Sequence, residues 1–164
     1  MRIPLYLQDC EVLHETLIHP PAYTAQRRAK ILQVPGRQLL KSVLLKCGKK
    51  FRLAVLPATH NISLSLLESH FSEPVRFADN SEIVEVFRDC EWGVRVPFGS
   101  LYGISTILET SIDPESEIVF EAHYHSWSIR MSCRDFENLE QPERLPFSQP
   151  VHPPRSSRRM DWRW

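Results

Sequence analysis

Two apolar runs, residues 39–45 and 51–56, flank the link Cys47-Gly48-Lys49-Lys50, and this link constrains the fold more than any other feature. Short runs rich in leucine and valine read as strands, and a glycine in a tight connection marks a hairpin. Parallel strands need a crossover of a dozen or more residues, so strands joined this closely are antiparallel. A purely parallel sheet is excluded.

Helix and strand signals alternate around the hairpin. Residues 3–9 suit a short opening helix and 11–18 an extended segment, which His19-Pro20-Pro21 stops because proline restricts the residue before it. Thr24 is placed to cap a helix over 25–32, closed by Pro35-Gly36. Leu64, Leu67 and Phe71 share a helical face within 63–71. A strand over 75–78 precedes Asp79, which stands three residues before Glu82 in a capping-box pattern opening a helix over 80–88. Residues 104–112 read as a strand broken by Asp113-Pro114, and β character resumes over 118–122. Trp127, Ile129, Met131 and Cys133 alternate with Ser128, Arg130 and Ser132, the pattern of a half-buried strand, and 134–139 suits a last helix. The expected fold is α+β, a mixed α/β arrangement with a mixed sheet flanked by short helices.

The chain of 164 residues fits one domain. With 42% hydrophobic and 24% charged residues it has a globular balance. No apolar run approaches the roughly 20 residues of a membrane span. Met1-Arg2-Ile3-Pro4 does not begin a secretory leader, so a cytoplasmic location and no membrane partner are expected. Cys10, Cys47, Cys90 and Cys133 are scattered singly, which suits free thiols in a reducing compartment rather than a zinc knuckle. Net charge is zero, yet residues 141–164 carry five arginines against two acids, with five prolines. The expected division is a domain over 1–140 and a basic appendage over 141–164. That appendage is read either as a solvated terminus or as an arm for RNA phosphates. Trp162 and Trp164 are available to stack on bases or to cover an apolar patch.

Three places could carry chemistry. Lys41 opens an apolar strand, and a lysine there is either a solvated edge residue or a point charge for a phosphate. Glycines bracket Gly93-Val94-Arg95-Val96-Pro97-Phe98-Gly99, so this loop is either a turn or a backbone surface aimed at a developing oxyanion. In His123-Tyr124-His125, the two histidines would share one face of a strand, as a surface pair, a pocket wall or two ligands lacking a third. Neither a Gly-x-Ser-x-Gly elbow, a Walker loop nor a dinucleotide fingerprint is present.

Taken in order, HPPAYTAQ (19–26), VPGRQLLKSVLL (34–45), LAVLPATH (53–60), DCEWGVRVPFGSLYG (89–103) and IVFEAHYHSWSIRMS (118–132) resemble the YbaK and prolyl-tRNA-editing family of aminoacyl-tRNA deacylases. The likeness is greatest to the free-standing prolyl-tRNA deacylase branch. It implies a partly barrel-like sheet and hydrolysis of an aminoacyl ester on tRNA, with alanine or another small amino acid on tRNA for proline as substrate. It implies Lys41, Gly93 and His125 as catalytic residues, and Tyr23, Thr24, Val94, Arg95, Val96, Pro97, Phe98, Gly99 and His123 as substrate-binding ones. It requires no metal or organic cofactor. Its partners are aminoacyl-tRNA and an aminoacyl-tRNA synthetase; the number of copies in the working particle stays open. Two positions depart from the family pattern: Val96-Pro97 replaces a double proline, and His123 stands where a glycine is usual. Two rival readings accompany this one: a non-catalytic RNA-binding module of the same fold, and a thiol or metal hydrolase built on Cys90 or the His123/His125 pair.

Overall fold

The computed structural model describes residues 2–151. The hairpin forms as its link requires, with β2 (Leu39–Cys47) and β3 (Lys50–Pro57) paired antiparallel from Leu40–Pro57 to Cys47–Lys50. Around it the main sheet runs in the spatial order β1 (His14–Ile18), β8 (Tyr124–Ser132), β7 (Glu117–Ala122), β2, β3, β6 (Ser105–Glu109), β9 (Glu143–Leu145). The β2–β7, β3–β6 and β6–β9 contacts are parallel and the others antiparallel, so the sheet is mixed. An eighth strand, β5 (Val75–Phe77), also pairs with β2, and β4 (His60–Ile62) forms a separate ribbon with β10 (Ser148–Pro150).

Five helices flank the sheet among the described residues: α1 (Ile3–Asp9), α2 (Ala25–Leu32), α3 (Leu64–Phe71), α4 (Asn80–Val86) and α5 (Cys133–Glu140). Three of them, α2, α4 and α5, start at a side chain that accepts an otherwise orphaned N–H group. Thr24 Oγ1 accepts from the Arg27 amide at 3.1 Å. Asp79 and Glu82 exchange the two bonds of a capping box, each at 2.9 Å. Ser132 Oγ accepts from the Asp135 amide at 3.1 Å.

Both faces of the hairpin are covered, which is why its strands read as nearly continuous apolar runs. Leu40, Leu44, Leu53 and Val55 pack into one cluster with Phe98, Phe120 and Phe136. Leu45, Cys47, Ala54 and Leu56 face the other way, against Leu67 and Phe147. One feature of β2 sets up the site. It pairs with β7 only through Leu39 and Leu40, and with β5 only through Leu45, Lys46 and Cys47. Between them, among the described residues, β3 flanks it on one side and no strand on the other.

The structure differs from expectation in several elements. The strand expected over 104–112 stops at Glu109, the helix over 80–88 stops at Val86, and β8 starts at Tyr124. Most consequential is the segment after Gln141. Glu143–Leu145 joins the sheet beside β6, and Leu145 and Phe147 are buried. Glu109 accepts from the Phe147 amide at 2.9 Å and from the Ser148 hydroxyl at 2.7 Å, while Arg144 ion-pairs with Glu137 at 2.6 Å. Through Val151 the expected appendage is thus part of the fold. Arg155, Arg158, Arg159, Arg163, Trp162 and Trp164 lie outside the described residues. No helix among the described residues is long and apolar enough to cross a membrane.

Candidate active site

A cavity of about 220 Å³ opens where β2 lacks a lateral partner. Tyr23, Thr24, Gln26 and Arg28 line it from the start of α2, Lys41 and Ser42 from β2, Gly93 and Arg95 from the loop after α4, and Glu121 and His125 from the β7–β8 turn. Lys41 is half-buried, and this burial pushes its ammonium pKa down. Lys46, an odd number of residues along the strand, faces the other side and rests its ammonium 4.0 Å from the Phe51 ring centroid.

Glu121, which sequence reasoning passed over, is the hub of the wall. Its Oε1 ion-pairs with Arg28, a buried residue whose Nη2 also donates to the Ala22 carbonyl at 2.6 Å. The same Oε1 lies 2.9 Å from His125 Nδ1. Burial pushes the Glu121 carboxyl pKa up, while Arg28 and His125 pull the other way. His125 Nε2 lies 2.9 Å from the Trp92 carbonyl, which can only accept, so Nε2 carries a hydrogen. Nδ1, the other ring nitrogen, faces the Glu121 carboxyl. With both ring nitrogens engaged, His125 holds the 91–93 segment in place. Its backbone amide donates to Glu91 Oε2 at 2.8 Å, and the Glu91 amide donates to the His123 carbonyl at 2.7 Å. The exposed Tyr23 ring stands over it, centroids 4.7 Å apart.

Gly93 has φ +84°, in the left-handed region that favours glycine. Space is not the reason, since a Cβ there would lie 3.9 Å from the His125 ring. From Gly93 onward the chain alternates. Gly93 and Arg95 line the cavity, whereas Val94, Val96 and Phe98 point into the core and are buried. This corrects the expectation for those three side chains: in an extended segment, neighbours face opposite ways. Pro97 and Gly99 are buried outside the cavity lining as well. The Val94 amide is spent on the Glu91 carbonyl at 2.9 Å and the Gly99 amide on Thr106 Oγ1 at 3.2 Å, while proline has none. The Arg95 Nε–H donates to the Ser42 carbonyl at 2.8 Å, filling the place a neighbouring strand would take.

His123 also differs from expectation. A register shift at Glu121/Ala122 breaks the strand parity, so His123 and His125 do not share a face. His123 takes φ +62°, the conformation suited to a glycine, and is 1% exposed. Its Nε2 accepts the Ile3 amide at 2.9 Å, satisfying an N–H at the start of α1 for which Arg2 offers no side-chain cap. Nδ1 then carries the ring proton and lies 3.4 Å from Cys90 Sγ.

Asp89, Cys90 and His123 bring three potential ligand atoms within 4.8 Å of one another. Their chemistry does not suit a metal. The His123 lone pair is committed to Ile3, and burial is the chief cause pushing the Cys90 thiol up to about 12. A thiolate, not a thiol, is the ligand and the nucleophile. Tyr102 donates to Asp89 at 2.8 Å, so the cluster is a hydrogen-bonded brace under α1.

Arg28 and Glu121 each leave a trace in the sequence. Arg28 sits on the inward helical face with Ala25, Ala29 and Leu32, and Glu121 interrupts the apolar run Ile118-Val119-Phe120. A lone charge in an apolar pattern needs a partner, but sequence does not say which.

The sequence profile of the aminoacyl-tRNA editing domain matches residues 19–139. No curated protein matches the chain. Among solved structures, the hypothetical protein APE2540 superposes with a TM-score of 0.82 at 15% identity, covering 91% of this chain and all of that one. A proposed trans-editing enzyme for prolyl-tRNA synthetase gives 0.68 at 16% identity, covering 83% and 87%. A proposed signal transduction protein from Marinobacter aquaeolei VT8 gives 0.69 at 19% identity, covering 89% of this chain and 31% of that one. These likenesses establish the shared mixed α/β editing-domain fold. With the profile spanning residues 19–139 of 164, the chain belongs to the aminoacyl-tRNA editing domain family.

Proposed function

We propose that the chain is a trans-editing hydrolase that removes alanine or another small amino acid from mischarged tRNA for proline. One observation carries this reading: Lys41 and the Gly93 loop converge on a single cavity whose one described carboxylate, Glu121, is ion-paired with Arg28. An aminoacyl ester is already reactive, so positioning and a prepared set of donors suffice. Lys41 takes the phosphate of the terminal nucleotide. The backbone amides of Gly93 and Arg95 face the ester carbonyl, and water adds to it, assisted by the neighbouring ribose hydroxyl. The leaving ribose oxygen takes a proton, giving free amino acid and uncharged tRNA. His125 is a positioning residue, holding the loop through the Trp92 carbonyl. The working place is the cytoplasm, with an aminoacyl-tRNA synthetase as the source of the mischarged substrate.

Lys41→Ala tests it. Small misplacements of a reacting group cost on the order of 100-fold in rate, and this is the expected loss in single-turnover deacylation. Lys46→Ala, on the opposite face, is expected to keep its rate within about twofold, since substitutions away from packed features are usually near neutral. Equal and mild effects from both variants would remove Lys41 from the mechanism. A second reading, a non-catalytic RNA-binding module, is favoured by the engagement of both His125 nitrogens, which leaves that ring unable to act as a free base. Tight binding without turnover on any mischarged tRNA would decide for it.

A further inference from the structure

The charges in the cavity wall do not balance. Among the described residues, Arg28, Lys41 and Arg95 stand against a single carboxylate, Glu121. Arg28 is matched inside the wall by its ion pair with Glu121. Lys41 is taken by the terminal phosphate in the ester-hydrolysis reading above, on which this inference rests. One cation is left, Arg95.

Its setting is unsuited to a methyl side chain, so this inference keeps the ester hydrolysis proposed above and, among small amino acids, departs from alanine. Burial already pushes the Arg95 guanidinium pKa down, with Glu121 opposing. A desolvated guanidinium beside an apolar acyl group would gain nothing in exchange for its lost water. The Nε–H is held by the Ser42 carbonyl at 2.8 Å, which fixes the side chain and, among the described residues, leaves its two Nη groups for a ligand. That planar pair of donors matches a carboxylate, which can accept two parallel hydrogen bonds. Position decides which part of the substrate it meets. Arg95 stands two residues beyond Gly93 on the segment whose amides face the ester carbonyl, so its ligand belongs to the acyl group. The volume, about 220 Å³, lies below the roughly 300 Å³ at which drug-sized pockets begin, and so suits a short side chain.

We propose that Arg95 reads a carboxylate on the acyl side chain, so that the esters this site takes best are those of acidic amino acids, aspartate first.

The test uses the full chain and adenosine 5′-phosphate carrying an aspartyl, asparaginyl or alanyl group through a non-hydrolysable 3′-amide. Calorimetry with the unmodified protein is expected to give aspartyl binding roughly 10- to 100-fold tighter than asparaginyl, the range for a hydrogen bond to a charged group. Arg95→Gln is expected to bring that ratio close to one. Equal affinity for the two compounds in the unmodified protein overturns the proposal whether or not the variant folds. So does an Arg95→Gln variant that weakens all three compounds alike, which would place Arg95 on the phosphate. Turnover of aspartyl- and alanyl-tRNA separates this inference from the hydrolysis reading. Acid-selective binding with no turnover on either ester removes hydrolysis and supports the role of Arg95. Turnover of both esters at the same rate, with no binding preference, keeps hydrolysis and overturns the role of Arg95.

Discussion

At the scale of single residues, the site is governed by how its wall disposes of buried charge. Arg28 is 4% exposed and meets Glu121 and a carbonyl. Removing one member of a buried pair costs about 3–5 kcal/mol because the other is left uncompensated. Glu121 borders the cavity and can take up a proton, so for Arg28→Met we expect the lower end, about 3 kcal/mol. Adding Glu121→Gln should recover part of that loss, since the orphaned charge is then gone. Urea unfolding of both variants measures it, and a double variant no more stable than the single one would show that the pair is not the coupling. The same two residues mark what sequence could and could not give. Each is a charge in an apolar pattern that sequence reasoning passed over, because their pairing joins positions 93 apart and no local spacing announces it.

At the scale of elements, α1 depends on a histidine far away in sequence. Burial lowers the His123 pKa, with Asp89 opposing and Arg2 adding to the depression. A group whose folded pKa is depressed lends its stability above its unfolded value, near 6.5, and loses it as pH falls through the folded one. Protonation also removes the lone pair that accepts the Ile3 amide. Stability should therefore drop below about pH 6.5, by up to about 1.4 kcal/mol for each pH unit within the window. His123→Gly should flatten this dependence, while its glycine suits the positive φ at that position. Urea midpoints at several pH values compare the two proteins; parallel curves would sink the idea. Capped helices such as α2 and α4 were legible because their signals are local. Of the three-residue strands, β5 was anticipated over 75–78 but β4, β9 and β10 were not, because so short a run shows no periodicity of its own. The bulge that turns His123 away from His125 leaves no signature in a sequence read as regular alternation.

At the scale of the whole molecule, the boundary between domain and appendage becomes a sharp experiment. Removing residues 152–164 leaves every described element in place and should preserve the melting temperature and the single-turnover rate. Removing 142–164 deletes β9, β10 and the buried Phe147. Loss of one buried phenylalanine side chain alone costs about 3–5 kcal/mol, a large part of a typical domain stability of about 5–15. That shorter chain should fail to fold, as read by circular dichroism. A folded, active 1–141 fragment would mean that the last strands are ornamental. Hairpin, mixed sheet and helix order were all visible in the sequence. The cavity was visible only as separate stretches, because it gathers side chains from Tyr23 to His125 around an opening that no single stretch encodes.

That opening has a consequence for how such a chain can change over time. Strand positions normally come as a set, since altering one disturbs the ladder on both sides. Beside Lys41 to Val43 the ladder is absent on one side, and a single side-chain bond, Arg95 to Ser42, spans the space. Exchanging the residue at 95 thus puts at risk one hydrogen bond of about 0.5–1.5 kcal/mol and no strand pairing. A cavity-lining position is thus free to drift while the sheet beneath it stays the same.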